Sequence, residues 1–281
     1  PRPVVEEHVL LAEVLDVSSA AAVEIKSQLE ERSYARIRAS DESLASLLEA
    51  EAAARDFFSQ SKPFKARFAG SGGRDGQLLL WSCGFTSWPH REQWHVVCGA
   101  PDAQPWPHLD AEASVPSPQR TAGMRTALLR VESLLRSWAM ACLRRLDGDG
   151  VAELHDCCAT AGIGNDPSVL DAFLYAAASE ECGSNEGAGL HMAAHFDPGV
   201  LTLTRASDCP GIEIYDRKCQ GWVAVEGLAS RDEVLVFAGE QLEKASNGHV
   251  RAARHRVTCP PSSQVDEQRN SVVFELRAVL D

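Results

Sequence analysis

The sequence has no long apolar run and few basic residues. A helix that crosses a bilayer needs about 20 consecutive apolar residues, and no segment of the chain approaches that length. Lys and Arg number 27 against 40 Asp and Glu, which gives a net charge of -13 at pH 7. Non-specific binding to a nucleic-acid backbone depends on clustered cations. We therefore expect no membrane span, and the charge disfavours a nucleic-acid partner.

The cysteines lack the spacing of a structural metal site. Nine of them are scattered from Cys83 to Cys259, an odd number that favours free thiols in a reducing compartment, and we expect a cytoplasmic protein. Cys157 and Cys158 are adjacent, but no second pair lies at zinc-site spacing. The glycine-rich segment 70–76 is not followed by GKS or GKT, which excludes a phosphate-binding loop.

The length and one proline-rich segment predict the organisation of the chain. A chain of 281 residues can form a single compact unit with appendages. Residues 101–118 are rich in proline and separate two parts. We predict an N-terminal region of helices and strands over residues 1–118, and a support helix with a β-rich core over residues 119–281.

Three helices are predicted from capping residues and periodicity. The first begins at Ser18 or Ser19 and the second at Ser40 or Asp41, residue types that favour helix N-caps. The clearest helix spans residues 121–146. Its apolar residues recur on one face, which predicts a buried support helix: Leu128, Val131, Leu135, Trp138 and Cys142.

From residue 190 onward the pattern changes to short apolar runs separated by turns. Runs of this length and spacing are typical of a sandwich or a double-sheet jelly-roll. The predicted fold class is mixed α+β, with a double-stranded β-helix (jelly-roll) core and N-terminal and supporting helices. Six strands are predicted in the core: residues 200–204, 212–215, 222–225, 234–238, 254–259 and 271–276.

A His-x-Asp triplet stands at the start of this β-rich part. Alternate residues of a strand face the same side, so His195 and Asp197 could both contact one metal ion. A second triplet at His108 has the same spacing but lies among prolines, and we interpret it as loop. Two histidines and one carboxylate on one face leave three positions open on iron(II). The third ligand must come from a distant strand, and we predict His255.

The motifs after this triplet resemble those of the isopenicillin N synthase-like family of iron(II)/2-oxoglutarate-dependent dioxygenases. The family pattern HxDxGxLTL is matched at residues 195–203. A strand of GWxxV type follows at residues 221–225, the NGx6HRV element at residues 247–257 and the RxS element at residues 269–271. The resemblance extends more loosely to the segments upstream.

The resemblance implies the cofactors, the reaction and the fold. His195, Asp197 and His255 would hold Fe(II), while Arg269 and Ser271 would bind the distal carboxylate of 2-oxoglutarate. A planar guanidinium matches two carboxylate oxygens, which agrees with that role. The implied activity is oxidation, by default hydroxylation, of an organic small molecule by O2, with release of succinate and CO2. Ascorbate is expected as a supporting reductant.

One departure from the family pattern keeps two alternatives open. Relatives often carry a tyrosine in an NYYP segment that helps to bind the co-substrate, whereas the nearest stretch here, residues 173–179, reads FLYAAAS. The first alternative is an iron oxidase of the same fold that does not use 2-oxoglutarate. The second is a family member without activity that serves as a binding or structural subunit. The intact ligand residues favour an enzyme.

Overall fold

The structure is a computed structural model. It describes residues 9–10, 20–70, 74–75, 78–79, 83–107, 123–176, 190–258 and 268–279. The predicted boundary between residues 118 and 119, the triplet at His108 and the predicted cap at Ser18 or Ser19 lie outside these ranges, so they stay predictions.

Helices and strands alternate irregularly along the described chain. The helices are α1 (Ala20–Arg32), α2 (Asp41–Phe58), α3 (Lys62–Ala66), α4 (Met124–Leu143), α5 (Asp149–Thr160) and α6 (Glu240–Ala245). The first strands are β1 (Val9–Leu10), β2 (Tyr34–Arg38), β3 (Arg74–Asp75), β4 (Leu78–Leu79), β5 (Gly84–Trp88), β6 (Arg91–Val97) and β7 (Val169–Tyr175). The remaining strands are β8 (Leu190–His195), β9 (Leu201–Arg205), β10 (Ile212–Asp216), β11 (Gly221–Val223), β12 (Glu233–Ala238), β13 (His255–Thr258) and β14 (Arg269–Leu276).

Two sheets form the core of the fold. The larger has eight strands in the order β1-β2-β12-β9-β14-β7-β6-β5, and the smaller has four in the order β11-β10-β13-β8. An apolar cluster joins residues of the two sheets: Tyr34, Phe173, Ile212, Ile214, Leu235, Phe237 and Val257. The predicted jelly-roll with supporting helices is therefore confirmed.

Strand β14 illustrates how the larger sheet separates two environments. Val272 and Phe274 belong to the apolar cluster that the sheet shares with α2 and α4. Ser271 and Val273 instead line a cavity between the sheets. This alternation follows from the two-residue period of a strand. The face that carries Ser271 is the one that positions the site described below.

The predicted helices and core strands agree with the structure. Ser40 caps α2, since its side chain accepts a hydrogen bond from the backbone of Ser43. Helix α4 lies within the predicted residues 121–146, and the five residues of its predicted apolar face are buried. The six predicted core strands correspond to β9 through β14. None of the helices in the described ranges is both long and apolar enough to cross a bilayer.

Several strands of the larger sheet were not predicted, and β7 is the most important of them. It lies between β14 and β6, and six of its seven residues are buried. A strand covered on both faces loses the alternation of polar and apolar residues that reveals a half-exposed strand. The sequence pattern alone therefore could not distinguish β7 from a buried helical turn.

A buried ion pair fastens α2 to the larger sheet. Arg205 of β9 donates from Nε and Nη2 to the two carboxylate oxygens of Glu51, at 2.8 Å and 2.7 Å. Their side chains are only 2% and 5% exposed. Burial raises the pKa of Glu51, and the arginine opposes that rise. Such a pair specifies one position of the helix on the sheet because either charge alone is costly to bury.

Replacing Glu51 by Ala is therefore expected to lower the free energy of unfolding by about 3 kcal/mol, since it leaves Arg205 buried without its carboxylate. Glu49→Ala is the matched control. Glu49 lies on the same helix and pairs with Arg130, which is 53% exposed, so its loss should cost less than about 1 kcal/mol. Urea unfolding of both variants measures the difference, and equal costs would contradict the structural role of the buried pair.

Candidate metal centre

The strand pairing of the smaller sheet brings two distant histidines together. His255, the first residue of β13, lies opposite His195, the last residue of β8, and their ring centroids are 4.2 Å apart. Asp197 lies beyond the end of β8, which corrects the expectation that one strand carries both residues of the triplet. Its Oδ1 is nevertheless 3.5 Å from His195 Nε2 and 3.7 Å from His255 Nε2.

A backbone carbonyl two residues before each histidine fixes its tautomer. His195 Nδ1 lies 2.8 Å from the Ala193 carbonyl, and His255 Nδ1 lies 3.1 Å from the Ala253 carbonyl. A carbonyl oxygen only accepts, so each Nδ1 donates its hydrogen. Each neutral ring then keeps a lone pair on Nε2, the atom next to Asp197. This is the arrangement by which proteins orient histidines that bind a metal.

Asp197 is the negative group of the cluster. Burial alone would raise its pKa, but hydrogen bonds with His195 and Thr202 and the nearby His255 hold the pKa below its ordinary value. Hydrogen bonding to Asp197 raises the pKa of His195, whereas burial lowers the pKa of His255. Thr202 Oγ1 donates to Asp197 Oδ2 at 2.5 Å. The carboxylate is therefore ionised at neutral pH, with Oδ1 directed to the histidines.

Two glycines allow the chain to pack closely after Asp197. A Cβ on Gly239 would lie 2.2 Å from the carbonyl oxygen of Gly199, and a Cβ on Gly199 would lie 2.6 Å from that of Leu276. Neither position accepts a side chain without moving the backbone. The backbone of Gly199 also donates to Glu275 Oε1 at 2.7 Å. Glu275, which the sequence motifs did not single out, thus holds the turn that positions Asp197.

The three side chains can bind one metal ion. Their ligand atoms all lie within 4.8 Å of one another. A six-coordinate ion with bonds of about 2.1 Å has neighbouring ligand atoms about 3 Å apart, so a small contraction brings all three to one ion. Two histidines and one carboxylate on one face leave three positions open, as in non-haem Fe(II) oxygenases. This donor set fits Fe(II).

A cavity of about 110 Å³ adjoins these residues. Arg269 and Ser271, from alternate positions of β14, contribute to its polar wall. The structure thus places both predicted co-substrate residues at the same cavity as the His-Asp-His cluster. The apolar part of the wall consists of Phe173, Met192, Ile212, Phe237, Val257 and Val273, together with the ring of Tyr175.

Arg269 is buried in an ion pair with Glu226, a residue that the sequence motifs did not indicate. The two side chains are 1% and 0% exposed, and Arg269 Nη2 donates to Glu226 Oε1 at 2.7 Å. The Glu226 carboxylate also accepts from the backbone N–H groups of Ser207, Gly211 and Ile212. Within the described part of the chain, Nε and Nη1 of Arg269 are buried without a partner. Unpaired guanidinium donors at a cavity wall fit a carboxylate ligand.

Tyr175 and His191 complete the surroundings of Arg269. The Arg269 guanidinium carbon lies 5.3 Å from the centre of the Tyr175 ring, and the His191 ring packs on the same tyrosine at 5.2 Å. Burial raises the pKa of Tyr175 to about 12 and lowers the pKa of His191 to about 4. Both side chains are therefore neutral at pH 7. The segment that departs from the family tyrosine pattern still places a tyrosine at this cavity.

A second cluster of possible ligands in the described chain has a different character. Cys98, Glu132 and Asp166 bring their ligand atoms within 4.8 Å of one another. Arg136 donates to both carboxylates, so its guanidinium already provides the positive charge that a metal would supply. Burial raises the pKa of the Cys98 thiol well above its ordinary value. This cluster is an ion-pair network.

A comparison with known protein families agrees with the geometry of the His195, Asp197 and His255 cluster. Residues 173–278 match the model of the 2OG-Fe(II) oxygenase superfamily. This segment of the chain, which we call the oxygenase domain, is thus similar to the 2OG-Fe(II) oxygenase superfamily. The matched residues include the His-Asp-His cluster, Tyr175, Arg269 and Ser271, and the resemblance stated from the motifs is confirmed at the level of this superfamily.

Individual relatives resemble the oxygenase domain over part of their length. Flavanone 3-dioxygenase 3 of Oryza sativa subsp. japonica is 35% identical over 78 residues, which cover 28% of this chain and 23% of that protein. The 2-oxoglutarate-dependent dioxygenase ecdK of Aspergillus rugulosus is 34% identical over 97 residues, 33% of this chain and 29% of that protein. The matched segments thus span less than a third of either relative.

A solved structure resembles the fold over nearly the whole chain. A full-length protein of Neurospora crassa, in complex with alpha-KG and 5-formyluracil, superposes with a TM-score of 0.74 at 16% sequence identity. The superposition covers 96% of this chain and 84% of that one. Residues 173–278 and the upstream strands and helices therefore together adopt the same fold as that structure.

The buried pair of Arg269 and Glu226 predicts that removing either charge alone destabilises the fold. Arg269→Leu leaves the Glu226 carboxylate buried without its cation, and we expect the free energy of unfolding to fall by about 3 kcal/mol. Glu226→Gln in the same chain removes the second charge and should restore at least about 1 kcal/mol of that loss. Urea unfolding of the single and double variants measures both values. A single variant as stable as the wild type would be inconsistent with the buried pair.

Proposed function

We propose that the protein is an Fe(II)- and 2-oxoglutarate-dependent dioxygenase. It oxidises, by default hydroxylates, an organic small molecule with O2 and releases succinate and CO2. The observation that carries this proposal is the convergence of His195, Asp197 and His255 beside a cavity lined by Arg269. Fe(II) with 2-oxoglutarate supplies the activation of O2 that no amino-acid side chain provides.

The metal ligands in this proposal are His195, Asp197 and His255. The two Nδ1 hydrogen bonds orient the rings so that both Nε2 atoms lie toward Asp197 Oδ1. Thr202 donates to Oδ2 of Asp197, so Asp197 would hold the metal through Oδ1. One negative charge on the protein balances part of the charge of a divalent cation. The three open positions are available for the co-substrate and O2.

The co-substrate residues in this proposal are Arg269 and Ser271. Nε and Nη1 of Arg269 have no partner among the described residues, while Nη2 donates to Glu226. Ser271 lies two positions along the same strand. Together they can donate to the distal carboxylate of 2-oxoglutarate. The apolar rings of Phe173 and Phe237 line the same cavity as these donors and the metal ligands. The complex of the Neurospora crassa protein with alpha-KG supports the choice of co-substrate.

The proposed setting is a reducing compartment such as the cytoplasm, with ascorbate as a supporting reductant. The seven cysteines within the described ranges carry free thiols, and four of them are buried. Free thiols persist where glutathione keeps them reduced. Fe(II) also requires reducing conditions to remain bound and active. The partners that the proposed reaction requires are a small-molecule substrate and O2.

Replacing a proposed ligand should remove the metal. His255→Ala and His195→Ala are each expected to reduce bound Fe(II) to less than about a tenth of the wild-type content, because two ligands retain little of the affinity of three. Metal analysis after anaerobic loading and desalting measures the retained iron. His249→Ala is the control, since His249 is 71% exposed and pairs with Glu30. Full iron content in His255→Ala would refute the proposed ligand set.

Removing the guanidinium should weaken 2-oxoglutarate without releasing iron. Charge-assisted hydrogen bonds contribute about 1.5–3 kcal/mol each, so losing Arg269 should raise the dissociation constant about a hundredfold. The variant used is Arg269→Leu/Glu226→Gln, which avoids a buried unpaired carboxylate. Anaerobic titration of 2-oxoglutarate into the Fe(II) protein, followed by its charge-transfer absorption, measures the affinity.

The matched control for this titration is Glu226→Gln alone, which keeps Arg269 and frees its third nitrogen. It should bind 2-oxoglutarate at least as tightly as the wild type. Ser271→Ala should weaken binding about tenfold, because it removes one donor. If the double variant retains wild-type affinity, Arg269 is not part of the co-substrate site, and an iron oxidase that does not use 2-oxoglutarate becomes the better description.

A further inference from the structure

We propose that a cationic pocket beside the metal centre binds an anionic group of the substrate, either a carboxylate or a phosphate. The inference rests on the proposed function and deepens it, since it assigns the substrate to a chemical class. The pocket is separate from Arg269, which the proposed function assigns to 2-oxoglutarate. It is formed by the end of α2, by α3 and by the adjoining ends of β5, β6 and β7.

The pocket concentrates positive charge in an acidic protein. It is a cavity of about 380 Å³ lined by Arg55, Lys62, Lys65 and Arg91, with Glu92 as the one carboxylate among its described lining residues. The chain as a whole has a net charge of -13. A concave site of sign opposite to the whole molecule attracts and retains counter-ions. The local charge therefore favours an anionic ligand.

Most of this positive charge is not compensated by the protein. Lys65 Nζ donates to both oxygens of Glu92, at 2.7 Å and 2.5 Å, so these two charges neutralise each other. Within the described ranges, no carboxylate lies at ion-pair distance from Arg55, Lys62 or Arg91. Three cations thus face the pocket without a paired carboxylate among the described residues. Arg205 and Arg269 differ from them, because both are paired with buried carboxylates.

Arg91 is held in place before any ligand binds. Its guanidinium carbon lies 4.4 Å from the centre of the Trp88 ring and 5.8 Å from that of Phe173. Its Nε is buried and has no hydrogen-bond partner among the described residues. Stacking between aromatic rings restrains the planar guanidinium while leaving its edge free to donate to an oxyanion. Trp88 is 41% exposed, an unusual position for a tryptophan without such a role.

The cationic pocket shares a wall with the metal centre. Strand β7 turns Phe173 and Tyr175 toward the metal-site cavity, while Leu174 lines the cationic pocket. Arg91 lies directly opposite Tyr175 in the pairing of β6 with β7, and its guanidinium contacts the Phe173 ring on the side of the metal centre. Arg91 therefore connects the two sites, and in this proposal the substrate binds Arg91 through its anionic group and passes the end of β7 on the Phe173 side to reach the metal centre.

Anion binding can be tested without metal or co-substrate. Inorganic pyrophosphate and tricarballylate, titrated calorimetrically into the metal-free protein at constant ionic strength, represent the phosphate and the carboxylate. We expect saturable binding of at least one of them, weakened at least about tenfold in Arg91→Gln because one charged donor is lost. If neither anion binds saturably, or both bind Arg91→Gln as tightly as the wild type, the cationic pocket is not an anion site.

Two controls separate this pocket from other cations. Arg269→Leu/Glu226→Gln should bind the probe as the wild type does, because Arg269 belongs to the other cavity. Arg130→Gln makes the same charge change at an exposed position outside the pocket and should also have no effect. Loss of probe binding in the Arg269 variant would place the anion in the co-substrate cavity and overturn the proposal.

Turnover links the pocket to the substrate. Matched pairs of compounds, an acid with its methyl ester and a phosphate with its free alcohol, are incubated with Fe(II), 2-oxoglutarate and O2 and followed by mass spectrometry. We expect only anionic members to be consumed, with KM at least about tenfold higher in Arg91→Gln. Equal consumption of the neutral members, with KM unchanged in Arg91→Gln, would refute the substrate class. Arg91-dependent binding of pyrophosphate, without Fe(II) retention and without 2-oxoglutarate-dependent succinate formation in any incubation, would instead contradict the dioxygenase activity and leave the anion site in place.

Discussion

The site depends on one strand pairing, that of β13 with β8. This pairing places His255 opposite His195 although they are far apart in sequence. Side chains alternate between the faces of a strand, so a shift of one residue would turn His255 away from the cavity. The backbone carbonyls that orient the two histidines belong to their own segments, so they set the ring orientation while the register sets the distance between the rings. The three ligand residues can therefore form a metal site only when β13 and β8 pair in this register.

Two buried arginine–glutamate pairs connect the larger sheet to its surroundings on opposite faces. Arg205 and Glu51 join the sheet to α2, while Arg269 and Glu226 join it to the segment before β12. In the first pair, both oxygens of Glu51 accept hydrogen bonds from Arg205, and the remaining nitrogen of Arg205 donates to the Arg231 carbonyl. Arg205 therefore has no donor left for a ligand. In the second pair, two guanidinium nitrogens of Arg269 have no hydrogen-bond partner in the part of the chain that the structure describes. The same pair type thus serves packing in one place and ligand recognition in the other, and what differs is whether the guanidinium is fully satisfied.

Motif spacing was enough to predict the cluster of metal-binding candidates and the outline of the core. His195, Asp197 and His255 are chemically distinctive residue types, and their motifs stand next to strands with clear patterns. Glu226, Glu275 and Arg91 have no such signal, because an isolated acid or arginine in a sequence is most often a solvated surface residue. Their roles depend on burial and on neighbours contributed by other strands. Strand β7 was missed for a related reason, since burial on both faces removes its alternation.

The sequence by itself determined the kind of chemistry, since only certain side chains offer metal ligands and a guanidinium for a carboxylate. It also determined the local elements whose periodicity is set by one exposed and one buried face, such as α4. The tertiary structure alone decided which charges are compensated. Arg91, Arg205 and Arg269 are the same residue type. Among the described residues, however, Arg91 has no paired carboxylate, Arg205 is fully paired and Arg269 is partly paired. The physical reason is that the electrostatic environment of a side chain is set by residues that folding brings near it, and these are distant along the chain.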